Sequence, residues 1–445
     1  MMTTPLATDL YQLTMMAAYQ HAGITGRSTF ELFVRNLPGG RAFLAALGLE
    51  QALDVLESLR FSTDEIRYLR TVPALAAAPD AFFDELLPSF RFTGDVWAVA
   101  EGEVVFAHEP ILRVTAPAVE AQLVETALLA TITFQTSIAS KTARIVRAAE
   151  GRPVIEFGSR RAHGLDAALH AARAAYVAGC SGTSNVQAGY RFGIPISGTM
   201  AHSWVMSFAR EIDAFRAYLA LFGERTTVLI DTYDTVAAAR AIVNAGLRPG
   251  SVRLDSGDLV ALSREVRRVL DAGGLPDTRI FVSGDLDEHR IAQLLADAAP
   301  IDAFGVGTSL STSSDAPALG GVYKLVEIER DGVMAPVLKL SAGKRTLPGS
   351  KQVWRLSQDG RATGDVLALA SETSPGGRPL LSQVMRDGQR LHASPGIEEV
   401  RRHAADAVRE LPDELRRLQE WDAYPVRPSE ALEELTSRAK AVRRD

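Results

Sequence analysis

The pattern of apolar and polar positions changes its grammar along the chain. Leu10, Leu13, Met16 and Ala17 recur at helical spacing, so a helix is expected over residues 8–20, with Thr8 or Asp9 as its cap and Tyr11 and Tyr19 off the apolar stripe. Residues 29–34 alternate weakly and read as a strand, which ends in a turn carrying Arg35 and Arg41. Residues 42–59 read as a helix, and 62–90 as alanine-rich helix broken by Pro73, Pro79 and Pro88. Short alternating runs over 92–114, with Gly94, Gly102 and Pro110 at the turns, predict a small antiparallel sheet. Residues 119–149 predict one or two long helices carrying Gln135, Lys141, Arg144 and Arg147.

From residue 153 the unit becomes strand, polar turn, helix, repeated. A strand at 154–157 runs into Gly158-Ser159-Arg160-Arg161, followed by a helix with Leu165, Leu169, Ala172 and Tyr176 on one face. A turn of small and hydroxylic residues at 179–185 follows, and then a strand at 194–196 leading to Ser197-Gly198-Thr199-Met200-Ala201-His202. The strand at 226–230 ends in Asp231-Thr232-Tyr233-Asp234, and Ser251–Leu254 ends in Asp255-Ser256-Gly257-Asp258 before the helix Leu259–Ala272. Arg279–Val282 ends in Ser283-Gly284-Asp285, where Asp285 and Glu288 have capping-box spacing before a helix running to Ala299. The strand at 302–306 ends in Gly307-Thr308-Ser309. In parallel α/β barrels such turns share one rim, so their polar residues are expected to converge. Beyond Ser313 strands return at 322–327, 337–340 and 353–356, with a basic, turn-rich loop over 344–355 and an amphipathic charged tail helix over 428–444.

Composition narrows the functional classes. At 445 residues the chain is too long for one ordinary core and is expected to form two domains. A formal charge of −6 disfavours nonspecific nucleic-acid binding, so an anionic ligand must be held by local arginines. A single cysteine, Cys180, fits a reducing compartment and is read first as a small packing residue. No stretch is long and apolar enough for a membrane span and no secretory leader is evident, which predicts a cytoplasmic protein.

Asp231, Asp255, Asp258 and Asp285 all sit at strand ends, with Arg160, Arg161 and Arg253 interleaved. Singly each acid reads as a helix cap. Gathered on one rim, arginines and acids suit a phosphorylated substrate with a metal ion, the arginines taking phosphate oxygens and the acids holding Mg²⁺ or ribose hydroxyls. The glycine-rich turns, Gly284 and Gly307 among them, offer backbone N–H groups to the same ligand. His202, in a glycine- and hydroxyl-lined turn, is the histidine best placed for nucleophilic or acid/base work, and His163 is a weaker candidate. Phe157 reads as core, and its place at a strand end also lets it stack on a planar ring. No His/Cys cluster has zinc spacing, and no P-loop occurs.

The ordered set TDLYQLTM (8–15), EFGSRR (156–161), GTSNV (182–186), GTMAHSW (198–204), LIDTYDT (229–235), VRLDSGD (252–258), VSGDLDE (282–288), FGVGTSL (304–310) and PGSKQVW (348–354) resembles the nicotinate phosphoribosyltransferases, and the likeness extends to YPVRPS (424–429). The resemblance implies the type II phosphoribosyltransferase fold. That is an irregular α/β barrel at about 141–340, joined to an α/β domain formed by 1–140 and completed by about 340–445. It also implies that nicotinate and phosphoribosyl pyrophosphate give nicotinate mononucleotide and pyrophosphate, coupled to ATP with Mg²⁺ through transient phosphorylation of His202, in a homodimer. By the same matching Tyr11, Phe157, Thr199 and Arg253 hold nicotinate, and Arg160, Gly284, Asp285, Gly307 and Thr308 the phosphoribosyl part. Asp231 and Asp255 serve the catalytic centre, and Asp231, Asp255 or Asp285 the metal.

One position bears on acid against amide. Relatives that use nicotinamide carry an aspartate where this chain has Ser184, followed by Asn185. A hydroxyl donates to a substrate carboxylate, whereas a carboxylate repels it. The alternative is that Ser184 only caps the helix starting near Val186. Competing readings are a quinolinate phosphoribosyltransferase, which would be shorter and has no reason to carry GTMAHS, a barrel aldolase, which wants a strand-end lysine, and a non-enzymatic binding role.

Overall fold

The computed structural model describes residues 4–341 and 346–441. By its internal contacts the chain divides into two compact units, Met1–Ser137 with Ala318–Asp445, and Ile138–Pro317. The second boundary falls at 317/318 and not near 340, because Gly321–Arg330 pairs along Arg27–Val34 of the first unit.

The first unit holds a seven-stranded antiparallel sheet in the order Val333–Pro336, Gly321–Arg330, Arg27–Val34, Pro110–Pro117, Asp95–Val99, Leu381–Arg386, Gln389–Arg390. The weak alternation of Arg27–Val34 has a physical cause: both faces are buried. Phe30 stacks on Tyr323 at 4.7 Å, while the polar positions find partners inside. Thr29 meets Thr115 at 2.9 Å, and Glu31 meets Lys351 at 2.8 Å.

The first helix spans Leu10–His21 and buries Leu13, Met16 and Ala17, but Leu10 is half exposed. The expected 42–59 helix is shorter. Leu44–Ala45 pairs as strand with Val104–Val105, and only Leu49–Ser58 is helical. Gly48 makes the break, because its backbone is left-handed and an added Cβ would lie 2.9 Å from the Thr131 carbonyl. The strand expected at 337–340 lies instead at Val333–Pro336, turned back on Gly321–Arg330 at Asp331-Gly332, a pair of positive-φ residues suited to a tight hairpin. The tail helix spans Glu430–Ala441, and 442–445 lie outside the described residues.

Lys344 and Arg345 of the expected basic loop also lie outside the described residues, and its remaining cations are structural. Lys351 and Arg355 belong to the strand Lys351–Gln358 and are buried in ion pairs. Arg355 bridges Asp365 at 2.7 Å and Glu103 at 2.8 Å, and the Tyr424 hydroxyl donates to Asp365 at 3.0 Å while its ring stacks on Phe106.

The second unit is a six-stranded, all-parallel sheet. Its strands are β1 (Val154–Glu156), β2 (Gly182–Thr183), β3 (Thr227–Leu229), β4 (Ser251–Leu254), β5 (Arg279–Val282) and β6 (Ala303–Val306), in the spatial order β2-β1-β6-β5-β4-β3. The sheet curls as an open, irregular barrel. Residues 194–196 add only one parallel bridge, Thr183 to Ile196, and no strand. Because every strand runs the same way, the turns after all six emerge on one rim. Helices such as Leu165–Val177, Thr235–Asn244 and Leu259–Ala272 cover the outside. Leu165, expected on the buried face of its helix, is the exposed first residue. Among the described residues no helix is long and apolar enough to cross a membrane.

Burial would push the Glu103 carboxyl up, but His403 and Arg378 at one oxygen and the Arg355 charge at the other outweigh it and hold it at about 2. A carboxylate depressed from its ordinary 4.5 stabilises the fold fully above that value, and the contribution is lost as pH falls toward 2. Glu103→Gln should therefore lower the midpoint of denaturant unfolding at pH 7, and its deficit relative to the wild type should shrink between pH 4.5 and 2. A deficit independent of pH would contradict this.

Candidate active site

The rim of the second unit is built by short-range rules. Asn185, Asp234, Asp258 and Asp287 each cap the helix that follows, accepting from the N–H of Ala188, Ala237, Val260 with Ala261, and Arg290. Asp258 is therefore a cap. The expected Asp285/Glu288 capping box is absent, since Asp287 takes that role and Asp285 adopts φ 46°. Asn185, and not Ser184, caps the helix Val186–Phe192, which leaves the exposed Ser184 hydroxyl without that duty.

Within this rim a cleft of about 800 Å³ is lined by Phe157, Arg160, Ser184, Thr199, His202, Arg253 and Asp255, together with Val186, Leu229 and the other residues of 196–203. Arg253, at the end of β4, organises it. Its Nε donates to Ser283 Oγ at 2.8 Å, one terminal nitrogen to Thr199 Oγ1 at 2.9 Å and the other to Asp255 Oδ1 at 2.7 Å. A guanidinium has five N–H donors, so two remain for a ligand. Its central carbon lies 5.5 Å from the centroid of the Phe157 ring, which is tilted on Phe281. The geometry suits a planar anion, with its ring against Phe157 and its carboxylate on Arg253.

The acids form a second layer. Asp255 Oδ1 also accepts from the Ser283 hydroxyl, and the Asp255 N–H donates to Asp231 Oδ2 at 3.0 Å, where Ser256 Oγ joins at 2.6 Å. Asp231 Oδ1 is buried with no hydrogen-bond partner. His202 opens the short helix His202–Met206, and its Nδ1 lies 3.1 Å from Thr232 Oγ1.

Two glycines are dictated by close approach. A Cβ on Gly284 would lie 2.0 Å from the Asp255 carbonyl oxygen, and one on Gly305 would strike the Phe157 ring at 2.7 Å. The first lets β5 turn beside Asp255, and the second gives the ring its seat.

Arg161 and His163 are exposed and do not line the cleft. Gly284 and Asp285 follow β5, and Gly307 and Thr308 follow β6, on the same rim but outside the cleft lining. Tyr11 lies on the first helix of the first unit, half exposed, its phenol raised to about 12 by burial and by Glu125. Sequence reasoning missed Glu156, which is buried at the end of β1. Its carboxylate accepts from the Gly158 N–H and the Thr183 hydroxyl, tying the turn of Phe157 and Arg160 to the turn of Ser184. Burial pushes this carboxyl up, against the pull of those two donors. A charged residue closing an otherwise apolar strand, two positions before Gly158, was the available signal.

Among the described residues no group of three or more acids, histidines or cysteines could hold a metal alone. The unpaired Asp231 Oδ1, with Asp255 beside it, fits Mg²⁺ held mainly by water and substrate phosphates, as this small, hard ion prefers.

The fold is that of the barrel phosphoribosyltransferases. It superposes on a crystal structure of human nicotinic acid phosphoribosyltransferase with a TM-score of 0.83 and 30% identity, covering 97% of this chain and 99% of that one. The chain belongs to the nicotinate phosphoribosyltransferase family. The family model matches residues 153–352, and the models of the enzyme's N-terminal and C-terminal domains match 6–133 and 376–436. A nicotinate phosphoribosyltransferase of Mycobacterium tuberculosis is 46% identical over 435 residues, 96% of this chain and 92% of its own length. One of Bacillus subtilis is 40% identical over 459 residues, covering 96% and 93%.

Proposed function

We propose that this protein joins nicotinate to phosphoribosyl pyrophosphate in NAD biosynthesis, releasing pyrophosphate, with Mg²⁺ and with ATP hydrolysis coupled through His202. The observation that carries the reading is Arg253, held by three partners beside Phe157 with two N–H donors to spare. Nicotinate is a flat ring bearing one carboxylate. With the carboxylate on Arg253 and Thr199 and the ring on Phe157, its nitrogen is aimed in one direction, which is the entropic part of catalysis.

In the transfer the bond from ribosyl C1 to the pyrophosphate oxygen breaks while the pyridine nitrogen forms its bond to C1. No proton moves. Positive charge grows on the ribosyl ring, and Asp231 and Asp255 supply a fixed negative field for it. Arg160 and the turns of Gly284, Asp285, Gly307 and Thr308 take the phosphate oxygens. Asp231, whose Oδ1 has no protein partner, would help hold Mg²⁺, which when bound would supply positive charge to offset that of the leaving pyrophosphate.

His202 suits phosphoryl acceptance. Its Nδ1 is engaged by Thr232, so Nε2 is the nitrogen left to attack the γ-phosphorus of ATP and expel ADP. Water later cleaves the phosphorus–nitrogen bond and releases phosphate. The buried lone Cys180 supports a cytoplasmic setting. We also read the enzyme as a homodimer whose Tyr11 helix serves the neighbouring site. Val186 and Ile196, exposed apolar residues that line the cleft, and the exposed Tyr190 on the same helix as Val186 support such an association.

His202→Ala should fold normally and lose ATP-coupled turnover. After incubation with γ-labelled ATP, acid-labile label should appear on the wild type and not on the variant. Label at wild-type level on His202→Ala would overturn the assignment.

Ser184→Asp should depress nicotinate turnover steeply, by about tenfold or more, through repulsion between carboxylates, with thermal stability little changed because Asn185 and not Ser184 caps the helix. An unchanged ratio of nicotinate to nicotinamide turnover would refute this role.

A further inference from the structure

Behind the rim lies a charge cluster that the chemistry above does not use. Lys141 Nζ is 2.6 Å from Glu288 Oε2 and 2.9 Å from Asp315 Oδ1, and Arg144 Nε donates to Glu288 Oε1 at 2.9 Å. The Lys141 and Glu288 side chains are only 2% and 1% exposed, and Asp315 is 34% exposed. Removing such groups from water costs several kcal/mol per ion, and apolar residues of similar size often serve stability as well or better. Stability alone therefore does not explain the cluster.

Its placement does. Glu288 is the first residue of the helix Glu288–Ala296, directly after the turn in which Gly284 and Asp285 have φ 94° and 46°. Asp315 follows the short helix Thr308–Ser311 by four residues, in a segment that also holds Ser313 at φ 45°. One ammonium thus ties together the segments that follow β5 and β6, the two that carry Gly284 with Asp285 and Gly307 with Thr308. Because Asp287 caps the helix, Glu288 is free for the brace.

We propose that Lys141 is a positioning residue for the phosphoribosyl half of the reaction. It fixes the spacing of the two turns that receive phosphoribosyl pyrophosphate, and the nicotinate half of the site does not depend on it. The proposal rests on the reading that those two turns bind the phosphoribosyl group.

The test measures KM separately for phosphoribosyl pyrophosphate and for nicotinate, at fixed saturating ATP and Mg²⁺, together with Tm. Asp315→Asn cuts one arm of the brace at a partly exposed group of unchanged size. It should raise KM for phosphoribosyl pyrophosphate by about 3–10-fold, the range expected of a coupling without ligand contact, and leave KM for nicotinate within about twofold. Lys141→Gln should do the same more strongly, and Asp315→Glu should restore most of the loss. Equal rises in both KM values, a fall in Tm without a selective change, or no change at all would overturn the proposal. Thr308→Val and Asp285→Asn separate the two levels. If neither raises KM for phosphoribosyl pyrophosphate, the underlying reading of the turns fails and the proposal with it. If they do and Asp315→Asn does not, the brace alone is refuted.

Discussion

The site depends on the immobilisation of one guanidinium. Arg253 leaves a parallel strand, and three of its donors are taken by Asp255, Thr199 and Ser283, which come from its own turn and from two others. Asp255 partly neutralises it, is steadied by Ser283, and passes its backbone N–H to Asp231. One network therefore joins the ends of β3, β4 and β5. A lysine could not replace this arginine, because an ammonium lacks the planar fork that satisfies three protein acceptors and still presents two donors in a fixed direction.

A second network closes the other side. Glu156 links the turns after β1 and β2 through Gly158 and Thr183, and the Phe157 N–H donates to Val306 of β6 at 2.8 Å. The ring of Phe157 is thus positioned from the backbone outward, and Gly305 leaves the space it fills. Rigid strand ends with ligand-facing side chains held by such partners are what an aligned transfer needs. The entropy of orientation is then met in folding and not at the moment of reaction.

Much of this was legible in the sequence where local rules decide. Ser251–Leu254, Leu259–Ala272 and Arg279–Val282 have the expected bounds, since apolar runs are fenced by caps and glycine stops. Phe157, Arg160, Ser184, Thr199, His202, Arg253 and Asp255 do meet in one cleft, because parallel strands send their turns to one rim. What sequence missed was decided by tertiary contact. Residues 42–48 read as helix until Gly48 and the pairing with Val104–Val105 intervene. Glu288 has capping-box spacing but turns inward to Lys141, and Lys351 and Arg355 look like loop cations until their buried acids are known. Glu156 showed only as a charge at the end of an apolar strand, because the partner that gives it its linking role, Thr183, lies on another strand.

On this reading of the cleft, Arg253 and Phe157 together receive a planar carboxylate. A crystal structure of the protein soaked or grown with nicotinate tests it most directly. The pyridine ring is expected to stack on Phe157, with its carboxylate within hydrogen-bond distance of the two free Arg253 N–H groups. Nicotinate bound in this cleft with its carboxylate turned away from Arg253, or bound outside it, would contradict the account.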